Sequence, residues 1–393
     1  MSRWLAGAFA FVCVVGSAVA VWLVVVKSDS DDGRGASAAE RAAEEEEEDE
    51  AEAPAKPKAV KFTVSVSGDL LMHQPLLDRA LANGGGNSYD FAPFFEPVGD
   101  WIDGVDLGLC HLETPMGPGP PTTYPIFNTP TDLAGSVERS GWDACSTASN
   151  HSVDGGQAGI DGTLGALDQA GLEHTGSFSS DGKSEKPTIL DVDGVKVGFV
   201  AYTDATNGLP APQPWSVNEY SVDDPQAGAR AIIEDAEAAR EAGAEAVIVQ
   251  IHWGDENSQT PNASQVAVAK ELTDSDAVSV VVGQGPHVVQ PIERVNGKFV
   301  VFSEGNLVSN QGPASGLPAV TQDGLIAVLH FKARGERVKV KKVTYVPTWV
   351  RIGDYAVLPA RASADQANAG ALEESYARTV DVVGEGNGFG PEF

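Results

Sequence analysis

The stretch KFTVSVSGD, Lys61–Asp69, reads as a β-strand that delivers a carboxylate. Phe62, Val64 and Val66 alternate with polar residues, the period of a strand with one buried face. The run then stops at Gly68-Asp69. Four more apolar runs end in the same way. DLGLCHL (106–112) reaches Glu113, DACSTAS (143–149) reaches Asn150 and His151, EAVIVQI (245–251) reaches His252, and AVSVVVGQGP (277–286) reaches His287. In α/β proteins chemistry collects at the carboxyl ends of strands, where loops aim side chains into a common cleft and the sheet keeps them rigid. Carboxylate, amide and imidazole groups gathered at one edge are the donor set for a divalent cation such as Mn, Zn or Fe, one ion or two.

Working outward, β-branched runs alternate with Ala-rich helical stretches. Helices are expected at Gln74–Asn83, Pro130–Gly141, Ile160–Ala170, Gln226–Ala242 and Val266–Leu272, with Gly141 and Gly171 as C-terminal stops. Asp193-Gly194 and Asn296-Gly297 mark two-residue hairpins, and Gly324–Lys332 with Arg337–Val346 reads as a closing antiparallel pair. The part before residue 190 alternates strand and helix, and the part after it mixes hairpins with crossovers. Two sheets packed together with helices outside satisfy both patterns.

The first 58 residues have a different texture. Trp4–Val26 is uncharged and apolar, long enough to span a ~30 Å hydrocarbon layer. A transmembrane anchor and a cleaved signal peptide, with Ala18-Val19-Ala20 as the cleavage site, are both consistent with residues 1–27. Either one exports the rest of the chain, giving a single-pass cell-membrane protein with an extracytoplasmic domain or a secreted one. Ser28–Lys58 carries 12 acidic and 4 basic residues, the composition of an extended, disordered spacer. The expected organisation is therefore residues 1–27 as anchor or signal, 28–58 as linker, 59–358 as the folded domain and 359–393 as a partly helical tail. A net charge of −30 over 393 residues excludes nucleic acid as a partner, because such a chain repels a phosphate backbone. The three cysteines, Cys13, Cys110 and Cys145, lack metal-finger spacing, and Cys110 and Cys145 inside apolar runs are expected as buried thiols.

The segments SGDLLMH (67–73), HLETP (111–115), FNTP (127–130), STASNHSVDGG (146–156), TNGLP (206–210), IHWGDE (251–256), GPHVVQP (285–291) and FSEGNL (302–307) together resemble the CapA family. That family is named for poly-γ-glutamate capsule synthesis and belongs to the calcineurin-like metallophosphoesterase superfamily. The resemblance implies an α/β fold, a four-layer α-β-β-α sandwich with a metal cleft at the sheet ends. Carried over by position, the metal residues are Asp69, Glu113, Asn150, His252 and His287. His151, beside Asn150, is cast as the general acid that protonates a leaving group. The implied partners are an anionic exopolymer or a small substrate, together with other capsule-synthesis subunits. Three departures stand out. Leu71 occupies a position where the superfamily has an imidazole, Gly285 stands where relatives show another, and Glu304 replaces a leucine as a further candidate oxygen ligand. His73, His111, His174 and His330 are read as structural.

Overall fold

The computed structural model describes residues 59–334 and 337–393. The apolar run Trp4–Val26 and the acidic stretch 28–58 lie outside the described residues. Among the described residues, no helix is long and apolar enough to cross a membrane.

In chain order the first half consists of β1 (Val60–Leu70), α1 (Gln74–Asn83), α2 (Ala92–Phe95), β2 (Leu107–Leu112), α3 (Asp132–Arg139), β3 (Ala144–Ser146), α4 (Gly156–Ala170) and β4 (Glu173–Thr175). The middle is α5 (Asp181–Ser184), β5 (Thr188–Val192), β6 (Val195–Thr203), α6 (Pro225–Glu241), β7 (Ala246–His252), α7 (Ala263–Asp274) and β8 (Val280–Gln284). The chain closes with β9 (Ile292–Val295), β10 (Lys298–Val301), β11 (Asn306–Val308), β12 (Asp323–Arg334), β13 (Arg337–Val350), β14 (Val357–Pro359), α8 (Ala369–Val383) and β15 (Phe389–Pro391).

These strands form two sheets. The first runs β14-β13-β12-β1-β2-β3-β4, with β11 pairing β1 and β15 pairing β13. The second runs β5-β6-β7-β8-β10-β9. The alternation read in Lys61–Asp69 explains how they meet. Phe62, Val64 and Val66 are fully buried against Val197, Phe199, Ile248, Val280 and Val282 of the second sheet, in one cluster between the sheets. Leu70 and Cys110 face the opposite way and pack under α1–α4, while Val247, Val249 and Val281 pack under α6 and α7. The result is helix, sheet, sheet, helix, the four-layer sandwich. Each Val or Leu sealed in these layers stabilises the fold by about 1.5–3 kcal/mol.

Local chemistry sets the element ends. Asp224 caps α6 by accepting from Ala227 N at 2.9 Å, and Asn262 with Gln265 forms a reciprocal capping box on α7. Asp193-Gly194 and Asn296-Gly297 turn with φ of 52°, 81°, 49° and 82°, the left-handed pair that joins twisted strands.

One sequence expectation is corrected. Cys110 and Cys145 are disulfide-bonded, not free thiols. They are direct partners in the parallel register of β2 and β3, with Cα atoms 4.5 Å apart. A separation of 35 residues carried no hint of that register. The segment expected as a tail supplies helix α8 and strand β15, which pairs in parallel with β13.

Candidate metal centre

The strands β1, β2 and β3 of one sheet and β7 and β8 of the other run out toward a single cleft. Each contributes its last residues. Asp69 sits near the end of β1, fully buried, and is the register partner of both His111 on β2 and Asn306 on β11. That close approach needs Gly68, because a Cβ there would fall 1.9 Å from Gly305 O. Glu113 follows β2, Asn150 and His151 follow β3, His252 ends β7, and His287 lies three residues beyond β8 with φ of +59°. All are buried, Asn150 the most accessible at 8%.

Two groups of donors form around Asp69. Asp69, His111 and His252 make one, and Asp69, Glu113 and His287 make the other, with the ligand atoms of each within 4.8 Å of one another. In the first, His111 Nε2 lies 3.1 Å from His252 Nδ1 and 3.7 Å from Asp69 Oδ1. In the second, His287 Nδ1 shares its proton between Asp69 Oδ2 and Asn306 Oδ1, each at 3.1 Å, and Nε2 lies 3.7 Å from Glu113 Oε1. Asn306 also donates from Nδ2 to the main-chain His287 O at 3.3 Å, so it holds both the ring and the backbone of His287.

Whether a cation fits is answered by the orphaned acceptors. Among the described residues, Asp69 Oδ1, both Glu113 carboxylate oxygens and Asn150 Oδ1 are buried without a hydrogen-bond partner. Buried carboxylate oxygens without partners are costly unless a cation neutralises them. Burial pushes the Glu113 carboxyl well above the usual carboxylate range, with negative Asp69 adding to the shift. Burial also lowers His111 to about 4 and holds His252 well below its ordinary value, leaving two neutral imidazoles with a lone pair each. Burial opposes charge on His287 too, yet Glu113 and Asp69 beside it lift the group up to about 10. Protons thus do here what a divalent cation would do, and the residues fit one.

His151 stands beside this cluster. Its Nδ1 hydrogen-bonds Asp154 Oδ2 at 2.7 Å, and its ring meets the edge of Phe127 at 4.6 Å between centroids. Asp154 also accepts from Phe127 N at 2.7 Å, tying the 117–128 loop to the same carboxylate. His151 and Asn150 line a cavity of about 380 Å³ with Tyr124, Ile126, Asn207 and Glu256. Larger cavities of about 630 and 890 Å³ open on the helical layer, lined by α3 residues such as Arg139, and contain no imidazole.

The structure brings together Asp69, Glu113, His252 and His287, and places Asn150 and His151 on the neighbouring loop. Asp69 does not cap α1, whose N-cap is His73, and Asn150 is not among the left-handed residues. Glu304 lies outside both donor groups. Its Oε2 accepts from Gln284 Nε2 at 2.7 Å, and burial pushes its carboxyl well up. Sequence reading set aside His111 as structural and did not place Asn306 or Asp154 among the site residues. Asp154, three positions after His151, was legible as an i,i+3 partner; the register that brings His111 to Asp69 was not.

Two sheets face to face, helices outside, and a carboxylate–imidazole cluster at the strand ends define an α/β sandwich with a candidate metal centre. The chain belongs to the bacterial capsule synthesis protein family PGA_cap, whose model matches residues 63–311. It is 31% identical over 191 residues to the PGA biosynthesis protein CapA of Bacillus subtilis, covering 48% of this chain and 47% of that one. It is 26% identical over 287 residues to the capsule biosynthesis protein CapA of Bacillus anthracis, covering 71% and 66%. A probable polyglutamine synthesis accessory protein of Mycobacterium tuberculosis is 26% identical over 174 residues, covering 42% and 45%. The matched stretch spans between about half and two thirds of these relatives' length. Among solved structures, the calcineurin-like phosphoesterase YfkN from Bacillus subtilis is similar with a TM-score of 0.47 and 14% identity, over 82% of this chain and 99% of that one.

Proposed function

We propose that this protein serves in the biosynthesis or export of an anionic capsular exopolymer of the poly-γ-glutamate kind. In this reading the domain is exported, held at the cell membrane by its N-terminal segment, and carries one or two divalent cations (Mn, Zn or Fe) in its cleft. The observation that carries the reading is the match of residues 63–311 to a capsule synthesis family. Asp69, Glu113, Asn150, His252 and His287 would hold the cation, which when bound supplies Lewis acidity and a local positive charge. The test is deletion of the gene followed by measurement of cell-associated polymer. Loss of polymer on deletion, restored by the wild-type chain and not by Asp69→Asn, is expected; unchanged polymer after deletion overturns the reading. In the same cells the domain should be cleaved by added protease before lysis, and full protection contradicts export.

A second reading, an extracytoplasmic metal-dependent phosphoesterase or other hydrolase, is favoured by one specific observation. His151 is oriented by Asp154 through Nδ1 and lines the cavity beside the cluster. With Nδ1 so engaged, Nε2, which meets only Asn207 Nδ2 at the long distance of 3.5 Å, is the atom left to move a proton to a leaving oxygen or nitrogen. Turnover of a phosphodiester or amide substrate by the wild-type chain supports this reading, and its absence on both classes removes it.

A further inference from the structure

Resting on the reading of a metal-bearing cleft, we propose that His111 is itself a metal ligand, completing a site with Asp69 and His252 that is separate from the Asp69–Glu113–His287 group. Three donor atoms converge there. His111 Nε2 lies 3.1 Å from His252 Nδ1 and 3.7 Å from Asp69 Oδ1, and that carboxylate oxygen has no hydrogen-bond partner among the described residues. His111 is fully buried, so no solvent competes for its ring. Nδ1 meets Ser146 Oγ at 2.7 Å, and Nε2 has as its partner another potential ligand atom, His252 Nδ1 at 3.1 Å, beside the unpartnered Asp69 Oδ1. That leaves Nε2 as the atom presented to the other two donors. A metal-bound imidazole typically has this arrangement, its second nitrogen fixed by an oxygen partner that sets tautomer and orientation.

The framework around His111 serves the same placement. His111 and Ser146 are register partners on β2 and β3, one step along from the disulfide-bonded pair Cys110 and Cys145. The cross-link therefore pins the register that holds Ser146 against Nδ1. On the far side, a Cβ at Gly285 would lie 3.1 Å from His252 Nε2 and 2.9 Å from Trp253 O, at a φ of +106° that side chains rarely adopt. His252 has room for its ring because 285 is glycine, and its Nδ1 is the nitrogen turned toward His111. Asp69 is then shared, one oxygen facing each group.

The full chain, purified in detergent and stripped of metal, is titrated with Co²⁺, following bound metal by equilibrium dialysis and coordination by ligand-field absorption. His111→Gln should weaken Co²⁺ binding at one class of site at least tenfold and change the absorption envelope, with His330→Gln as an imidazole control that changes neither. If His111→Gln binds Co²⁺ with wild-type affinity and spectrum, the proposal is overturned while the metal-bearing cleft stands. If the wild-type chain itself binds no Co²⁺, the cleft reading fails and this proposal with it. Should His111→Gln fail to fold, Ser146→Ala decides. Loss of the hydroxyl on Nδ1 should weaken binding severalfold and shift the same envelope, and an unaltered Co²⁺ titration for that variant overturns the proposal.

Discussion

His151 and Asp154 form a pair near the cluster whose geometry separates positioning from proton transfer. Asp154 accepts from the ring at 2.7 Å and from the Phe127 amide at 2.7 Å, so one carboxylate orients the imidazole and anchors the loop that carries Tyr124 and Ile126. Removing the ring and removing its anchor should therefore differ. If the cleft turns over an ester or amide, His151→Ala should lower kcat by about 10²–10⁴-fold, the usual worth of a general acid, with metal content unchanged. Asp154→Asn keeps the ring and an oxygen for the Phe127 amide, so its loss should be smaller and should reside in kcat more than KM. Equal losses in the two variants would show that His151 acts only as part of the loop's scaffold. Metal analysis of both proteins is the accompanying measurement, because depletion in His151→Ala would make the residue a ligand rather than an acid.

At the scale of elements, the β2–β3 pair carries the most consequence for the site. The Cys110–Cys145 cross-link closes a loop of 35 residues that contains α3, so its removal should cost about 2–4 kcal/mol, measured as a lowered denaturation midpoint for Cys110→Ser with Cys145→Ser. A midpoint unchanged by that double substitution contradicts the expected cross-link. The β12–β13 pair offers a pH-dependent counterpart away from the cleft. Half-buried His330 bonds Thr344 Oγ1 through Nε2 at 2.8 Å, and burial together with Lys342 lowers its imidazole below the ordinary value. The unfolded chain then takes up a proton that the folded chain refuses. Stability from this group is complete above the unfolded value near 6.5 and is lost as pH falls through the folded one. His330→Gln should flatten the loss of stability between pH 7 and pH 5, read from denaturant midpoints; an unchanged slope would assign that loss to other groups.

Much of this level was legible beforehand, for identifiable reasons. Period-2 runs such as Lys61–Asp69 and turn pairs such as Asp193-Gly194 encode structure locally, and Gln74–Asn83 has the expected bounds. The α4 helix begins at Gly156, before the expected Ile160, because its first turn, Gly156-Gln157-Ala158-Gly159, shows no apolar period. The short strands β4, β11, β14 and β15 carry three residues each and exist through pairing, which no local pattern announces. The site divides along the same line. Residues at strand ends, Asp69, Glu113, His252 and His287, were visible as interruptions of apolar runs. His111 lies inside β2, and only the register Asp69↔His111 brings it to the cluster.

For the whole molecule, charge is the property that constrains function most. Residues 59–393 carry 44 acidic and 20 basic side chains, so a polyanion approaching them meets net long-range repulsion that a held cation would offset locally. A polymer-binding protein that works through a basic surface loses affinity as salt rises, because bound counterions are released on association. For polymer bound at a metal-loaded cleft, as proposed, the sign would reverse. Salt screens unfavourable long-range repulsion over a Debye length of about 10 Å at 0.1 M, while the short contact between polymer carboxylate and bound metal is screened far less. Binding of a poly-γ-glutamate oligomer to the metal-loaded chain should therefore hold constant or tighten as NaCl is raised from about 50 to 300 mM. The same binding should fall at least tenfold when the metal is removed with a chelator and return when divalent cation is restored. Fluorescence anisotropy of a labelled oligomer measures both. Affinity that drops steeply with salt and ignores the chelator would mean that the polymer, if bound at all, is held by a basic patch and not by the cleft where Asp69 and Glu113 converge.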